Sequence, residues 1–388
     1  MQENFPAVVD FIKSAFAPKD FVALHEPVFI GNERKYVLDA IDSTFVSSVG
    51  EYVNRFEQMM AGITGAKYAV AIVNGTNALH LALILAGVAA EDEVLSQALT
   101  FIATANAISY TGARPVFIDV DRDTMGMSPE ALRTFLEQHA ERRADGFTYN
   151  KQTGRKISAC VPMHTFGLPC RIEELLAITS AWNIALVEDA AESLGSYVGD
   201  RHTGTLGKLG VFSFNGNKTV TCGGGGAIVT NDEQLAKRAK HLSTQAKVPH
   251  KWKFEHDEIG YNYRMPNLNA ALACAQLEQL ERFVENKRAL AAAYRDFFAG
   301  TAITFVEEPS NTRANYWLNA ILLEDAAQRD AFLTYTNENG VMTRPVWALM
   351  SELPMFRNCQ QDGLQHSRWL ADRVVNIPSG FRVGYAEE

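Results

Sequence analysis

The stretch VFSFNGNKTVTCGGGG (211–226) ends an apolar run in a polar turn that presents Lys218. A lysine delivered by a strand end into a domain interior must be paired or desolvated, and desolvation loosens its hold on the proton. An amine in that state can attack a carbonyl and form a Schiff base. Taken alone, a loop lysine whose head reaches solvent along its own stem is the commoner case; the neighbouring segments reverse those odds. The glycines at 223–226 are no dinucleotide fingerprint, because the third glycine of GxGxxG would fall at Ile228. They mean only that backbone approaches something closely.

Two further segments bear chemistry. IALVEDAAES (184–193) leads an apolar strand straight into Asp189, at the carboxyl end where open α/β sheets place their ligands. Asp189 either caps the following turn or, as a buried carboxylate, takes a cationic partner. A protonated pyridine nitrogen would be such a partner, and the ring would then act as an electron sink. YAVAIVNGTNALHLAL (68–83) reads as strand, tight turn and helix, with Gly75, Thr76 and Asn77 at the helix start. Open amide donors and the positive end of the helix dipole suit a phosphate there, although many α/β proteins have such turns without a ligand.

The elements that must position these residues alternate. YAVAIV (68–73), EVLS (93–96), PVFID (115–119), ISACVPM (157–163), IALVE (184–188), VFSF (211–214) and GGAIVT (225–230) give seven expected strands separated by helical runs. This pattern predicts an α/β fold, a mainly parallel seven-stranded sheet flanked by helices. TNALHLALILAG (76–87) is apolar on nearly every face, as a buried helix would be. Ser128-Pro129 reads as a helix start, and the polar stretch 141–156 as an exposed hairpin-like insertion. After Thr244 the alternation breaks. One long helix is expected from Asn267 to Phe298, then the strand LNAILL (318–323) and the helix AAQRDAFLTYTNENG, in a smaller α+β unit. The expected division is 1–245, an N-terminal helix plus the large cofactor-binding domain, and 246–388, the small C-terminal domain. In the first helix Phe5, Val8, Val9, Phe11, Ile12 and Phe16 form a face that would lie on its own protein or on a partner subunit.

Composition bounds the rest. The chain has 388 residues, 47% hydrophobic and 21% charged, enough for a large core. A formal net charge of −9 argues against nucleic acid as a partner. No apolar run reaches a membrane span, and the N-terminus lacks the basic region and cleavage site of a signal peptide. Five cysteines without CxxC spacing fit a reducing cytoplasm, and no metal is expected.

Together with TFIATANAI (100–108) and GYNYRM (260–265), these segments resemble, in order, the motifs of the DegT/DnrJ/EryC1/StrS family of nucleotide-sugar aminotransferases, from about Phe29 onward. The resemblance implies fold type I and pyridoxal 5′-phosphate (PLP) held as a Schiff base on Lys218. It implies that Ser213 binds the cofactor, that the Gly75–Thr76–Asn77 turn serves the phosphate, that Asp189 serves the ring nitrogen and that Phe101 stacks on the ring. Asn262 would reach the cofactor of the other subunit, which implies a homodimer with shared sites. L-glutamate would load the amine, leaving pyridoxamine phosphate to aminate a keto sugar, on a route to lipopolysaccharide or O-antigen sugars. Three departures stand out: Glu192 where the family has Gln or His against the ring oxygen, Asn267 where aspartate is common, and TRPVWALM (343–350) without the usual proline–histidine pattern.

HEPVFIGNERKYVLDAIDSTFVSSVGEYV (25–53) is most similar to the branch that aminates UDP-linked 4-keto-6-deoxy-N-acetylhexosamines toward legionaminic-acid-type sugars. Ser47, Ser48, His164 and Arg344 are the candidate substrate contacts, each with an ordinary structural hydrogen bond as the alternative. GDP- or dTDP-linked sugars are the alternative substrates, and a non-catalytic sensor of the same fold is the remaining one. Family dehydratases carry histidine at the position of Lys218.

Overall fold

The computed structural model describes residues 4–17 and 19–383. Helix α1 (Phe5–Ala15) is followed by α2 (Glu33–Asp42) and α3 (Glu51–Thr64). The alternating region then runs β1 (Tyr68–Ile72), α4 (Gly75–Ala86), β2 (Glu93–Gln97), α5 (Ile102–Tyr110), β3 (Arg114–Ile118), α6 (Pro129–His139), β4 (Ile157–Val161), α7 (Ile172–Ala181), β5 (Ala185–Asp189), β6 (Leu209–Ser213), β7 (Gly226–Thr230) and α8 (Glu233–Ser243). Helices α9 (Asn267–Leu277), α10 (Leu280–Phe298), α11 (Ala326–Glu338) and α12 (Gln365–Ala371) complete the α-helices of the described residues.

The seven strands form one sheet in the order β1-β7-β6-β5-β4-β2-β3. Only β7 runs against the others, pairing antiparallel with both β1 and β6. The carboxyl ends of β1, β2, β5 and β6 therefore share an edge with the beginning of β7. Alternation along β6 sends Val211 to one face, with Val70, Ile72 and Leu81, and Phe212 to the other, with Phe56 and Ala71. Helix α4 is buried along nearly its whole length against that first face. Ser128 caps α6 by accepting from the Ala131 amide at 3.4 Å, with Pro129 in the first turn. The expected hairpin forms, Ala140–Arg142 with Thr148–Asn150, but it is not wholly exposed, since Thr148 and Asn150 are buried and Asn150 donates to Glu93.

The single helix expected over 267–298 is two. The chain breaks at Glu278–Gln279, and Glu278 accepts hydrogen bonds there from Asn32, Tyr36 and Arg55. The charged network joins α2 and α3 to the break, which apolar periodicity alone does not register. Beyond it lies a small antiparallel sheet, Thr304–Phe305, Asn319–Leu322, Val374–Ile377 and Arg344–Pro345 in spatial order.

Helix α1 lies on its own chain. Phe5, Val8, Val9 and Ile12 share a buried cluster with Phe332, Val341 and Ile377, and Phe5 meets Phe332 edge-on at 5.1 Å. Helix α9 instead shares a cluster with α2, α3 and β7. A unit boundary at 245/246 stays a proposal about the organisation of the chain, since apolar contacts of α1 and α9 both cross it.

Candidate active site

A cavity of about 310 Å³ opens at the carboxyl edge of the sheet. Gly75, Thr76, Phe101, Asp189, Glu192, Ser213 and Lys218, spread over more than a hundred residues, all line it. The topology explains their meeting: Asp189 ends β5, Ser213 ends the adjacent β6, Gly75 follows β1 and Phe101 follows β2.

Lys218 sits in the turn after β6. Its amide bonds to the Asn215 carbonyl at 3.0 Å. Its Nζ donates to Glu192 Oε1 at 3.2 Å and lies 3.8 Å from the centroid of the Trp317 ring. The Trp317 indole N–H donates to the Asn217 carbonyl at 2.6 Å, so one side chain braces both the turn and the amine it carries.

Asp189 is 3% exposed. Oδ2 accepts from the Thr104 hydroxyl at 2.7 Å and Oδ1 from the Ala191 amide at 3.2 Å. Burial raises its pKa against the lowering pull of those two bonds and of Lys218 and His164. Glu192 is likewise buried. Its Oε2 accepts from the Phe166 amide at 2.9 Å, and burial outweighs the nearby Lys218 charge to push its pKa up to about 7.

At the helix start Asn74 caps α4, its Oδ1 accepting from the Asn77 amide at 2.8 Å. That spends the Asn77 donor, and Asn77 does not line the cavity. The family motif puts the phosphate pair on Thr76 and Asn77; the cap leaves the amides of Gly75 and Thr76 as the open ones. Two glycines are required by close approach. A Cβ on Gly75 would stand 2.8 Å from Ser213 Cβ, and one on Gly226, from the glycine run, would stand 2.5 Å from the Asn74 carbonyl carbon.

The other residues expected at the site lie elsewhere. His164 is fully buried behind the cavity, accepting from the Cys170 amide at Nδ1 (3.2 Å) and facing Glu188 through Nε2 (3.0 Å), a structural arrangement. Arg344 is exposed and bonds Asn337 and the Thr343 carbonyl. Ser47 accepts the Asn267 amide on its carbonyl, and Ser48 lines a separate cavity with Lys240 and Arg264. Asn267 Nδ2 also donates to the Phe45 carbonyl at 2.7 Å, a bond that an aspartate could not make. Asn262 is exposed and does not line this cavity.

The residues present suit PLP. A buried carboxylate whose proton affinity is raised by burial is placed for a cation, and two open amides beside Ser213 form an anion seat.

The chain matches the model of the DegT/DnrJ/EryC1/StrS aminotransferase family over residues 29–387. It belongs to that family. Among its relatives, the GDP-perosamine synthase of Escherichia coli O157:H7 is 35% identical over 92% of this chain and 93% of its own. A putative pyridoxal phosphate-dependent aminotransferase of Bacillus subtilis, EpsN, is 36% identical over 95% of this chain and 93% of its own. Of solved structures, DesI with its TDP-sugar product superimposes with a TM-score of 0.81 at 28% identity, over 95% of this chain and 91% of its own. This aminotransferase is thus a PLP-dependent enzyme of fold type I. Among its described residues no helix is long and apolar enough to cross a membrane.

Sequence reasoning missed Thr104, Asn74, Trp317 and Trp347. Thr104 was within reach: it follows Phe101 by three residues on one helical turn, so both face the cavity. Trp317 and Trp347 come from distant segments, and no local spacing ties them to Lys218.

Proposed function

We propose that the enzyme moves the amino group of L-glutamate to a nucleotide-linked 4-keto-6-deoxy sugar, with UDP-4-keto-6-deoxy-N-acetylhexosamine as the acceptor. The observation that carries the transfer is the convergence of Lys218, Asp189 and the Gly75–Thr76 amides on one cavity. Bound PLP supplies the electrophilic carbonyl and the electron sink. Lys218 Nζ moves the proton at the donor α-carbon. Asp189 holds the positive charge of the ring nitrogen, and Thr104 holds Asp189. The Gly75 and Thr76 amides with Ser213 take the phosphate, and Phe101 packs on the ring.

The UDP sugar is supported by the likeness of residues 25–53 to that branch. A GDP-linked acceptor is the second reading, favoured by relatives named GDP-perosamine synthase in three organisms at 32–35% identity. We further propose a homodimer in which Asn262 serves the partner's site. Its support is that Asn262 faces solvent, and that Phe29, Phe45 and Val49 are exposed apolar side chains. A reducing cytoplasm is supported by cysteines that form no disulfide among the described residues.

The test offers UDP-, GDP- and dTDP-linked 4-keto sugars with glutamate to the wild type and to Lys218→Ala, and identifies products by mass. Amination of the UDP sugar by the wild type alone is expected. Turnover by Lys218→Ala would overturn the role of the lysine, and activity on GDP or dTDP sugars only would overturn the UDP acceptor.

A further inference from the structure

Glu192 is a buried carboxyl group set into the cavity wall. Oε2 is fixed by the Phe166 amide, and the Glu192 carbonyl is fixed by Asn315 Nδ2 at 2.9 Å. Among the described residues Oε1 has one polar partner, Lys218 Nζ at 3.2 Å. The other charged group that acts on Glu192 is Asp189 at the end of β5, on which His164 acts in turn, and Lys218 also faces His25. Burial, then the charges of Lys287 and Lys218, holds the pKa of His25 well below its ordinary value.

A buried carboxylate keeps its charge only beside a cation. Lys218 stops being that cation whenever its nitrogen gives up its proton. Glu192 would then stand as an uncompensated anion beside Asp189, a second carboxylate. With its proton affinity already raised into the neutral range, taking up the proton is the inexpensive outcome.

We propose that Glu192 is the proton store of Lys218, one proton passing between Lys218 Nζ and Glu192 Oε1. In that step an N–H bond breaks as an O–H bond forms, and carboxylate plus ammonium becomes carboxylic acid plus neutral amine. The pair carries no net charge before or after. The neutral amine is the form that attacks a carbonyl or removes a carbon-bound proton. A glutamine at this position could accept from Lys218 but could not carry its proton. The inference rests on the aminotransferase reading of Lys218 and deepens it.

The test compares the wild type with Glu192→Gln and Glu192→Asp. Cofactor uptake, followed by absorbance, is measured first, and its absence in the wild type would count against the aminotransferase reading itself. In cofactor-free protein, the pH dependence of Lys218 modification by an amine-reactive reagent is then followed by peptide mass analysis. In Glu192→Gln the midpoint should fall by about one pH unit or more, because the ammonium has lost its counter-charge. In loaded enzyme, kcat/KM should lose an ionisation near neutrality in Glu192→Gln and keep it in Glu192→Asp, with a loss of roughly 100-fold at the optimum for Glu192→Gln. An unshifted modification midpoint, or a Glu192→Gln profile of wild-type shape lowered equally at every pH, would show that Glu192 only positions the lysine and would overturn the proposal.

Discussion

The Thr104 hydroxyl donates to Asp189 Oδ2 at 2.7 Å, joining the first turn of α5 to the end of β5 across the floor of the cavity. Asp189 must be ionised to pair with a ring cation, and burial works against that. Thr104→Val removes a stabilising donor and should weaken PLP binding about tenfold, from the loss of one charge-assisted bond of about 1.5 kcal/mol. Fluorescence titration of cofactor-free protein checks this, and Thr104→Ser should bind as the wild type does. Since the pKa of Asp189 is raised, cofactor should be lost on acidification above the ordinary aspartate range, with the midpoint higher still in Thr104→Val.

Gly75→Ala places a methyl group 2.8 Å from Ser213 Cβ at the anion seat. Overpacking of this kind costs about 1–3 kcal/mol. The variant should show a lower Tm and weaker cofactor retention. Combining it with Ser213→Gly should recover most of the stability but not the cofactor affinity, since the hydroxyl is gone.

Asn74 separates stability from anion binding. Asn74→Ala should cost about 1 kcal/mol of stability by removing the cap on the Asn77 amide. Asn74→Asp keeps the cap and sets a negative charge beside the open amides. Its denaturation midpoint should match the wild type while its affinity for PLP, and for inorganic phosphate as a probe, falls.

Lys287 is buried, with Nζ donating to the Trp317 carbonyl at 3.2 Å, and burial lowers its pKa to about 7 from 10.5. The unfolded chain therefore binds more protons than the folded one between those values, and stability should rise with pH across that window. Below about pH 7 the charged lysine is a standing cost. Lys287→Met should flatten the slope: its stability relative to the wild type is best near pH 6 and worsens toward pH 10 by a few kcal/mol, about 1.4 kcal/mol per pH unit. Urea denaturation at several pH values measures it. A parallel pair of stability curves would contradict this assignment.

Much of the fold was legible because it is written in local periodicities. The seven runs of apolar, β-branched character are the seven strands of the sheet, and the all-round apolar 76–87 stretch is the buried helix α4. The residues at strand ends were legible for the same reason, since the chain places them by secondary structure alone. What escaped was set by non-local partners. Glu278 breaks a periodic helix because Arg55 and Tyr36, more than two hundred residues earlier, draw it outward. The Asn77 amide reads as free along the chain because its competitor, the Asn74 side chain, looks like one more turn residue. His164 reads as a candidate substrate contact along the chain, yet Glu188 and Cys170 occupy both of its nitrogens.

The docking of α1 on α11 bears on how the chain is made. Phe332 follows Phe5 by more than three hundred residues, so translation passes α1 long before it reaches α11. Until α10 and then α11 follow, the apolar face of α1 lacks partners such as Phe297 and Phe332 and stays a sticky segment. The central sheet is complete in sequence by Thr230 and can assemble first, so docking of α1 is a late event that waits for α10 and α11. A ribosome stalled before that point would hold out a greasy helix for chaperones to seize.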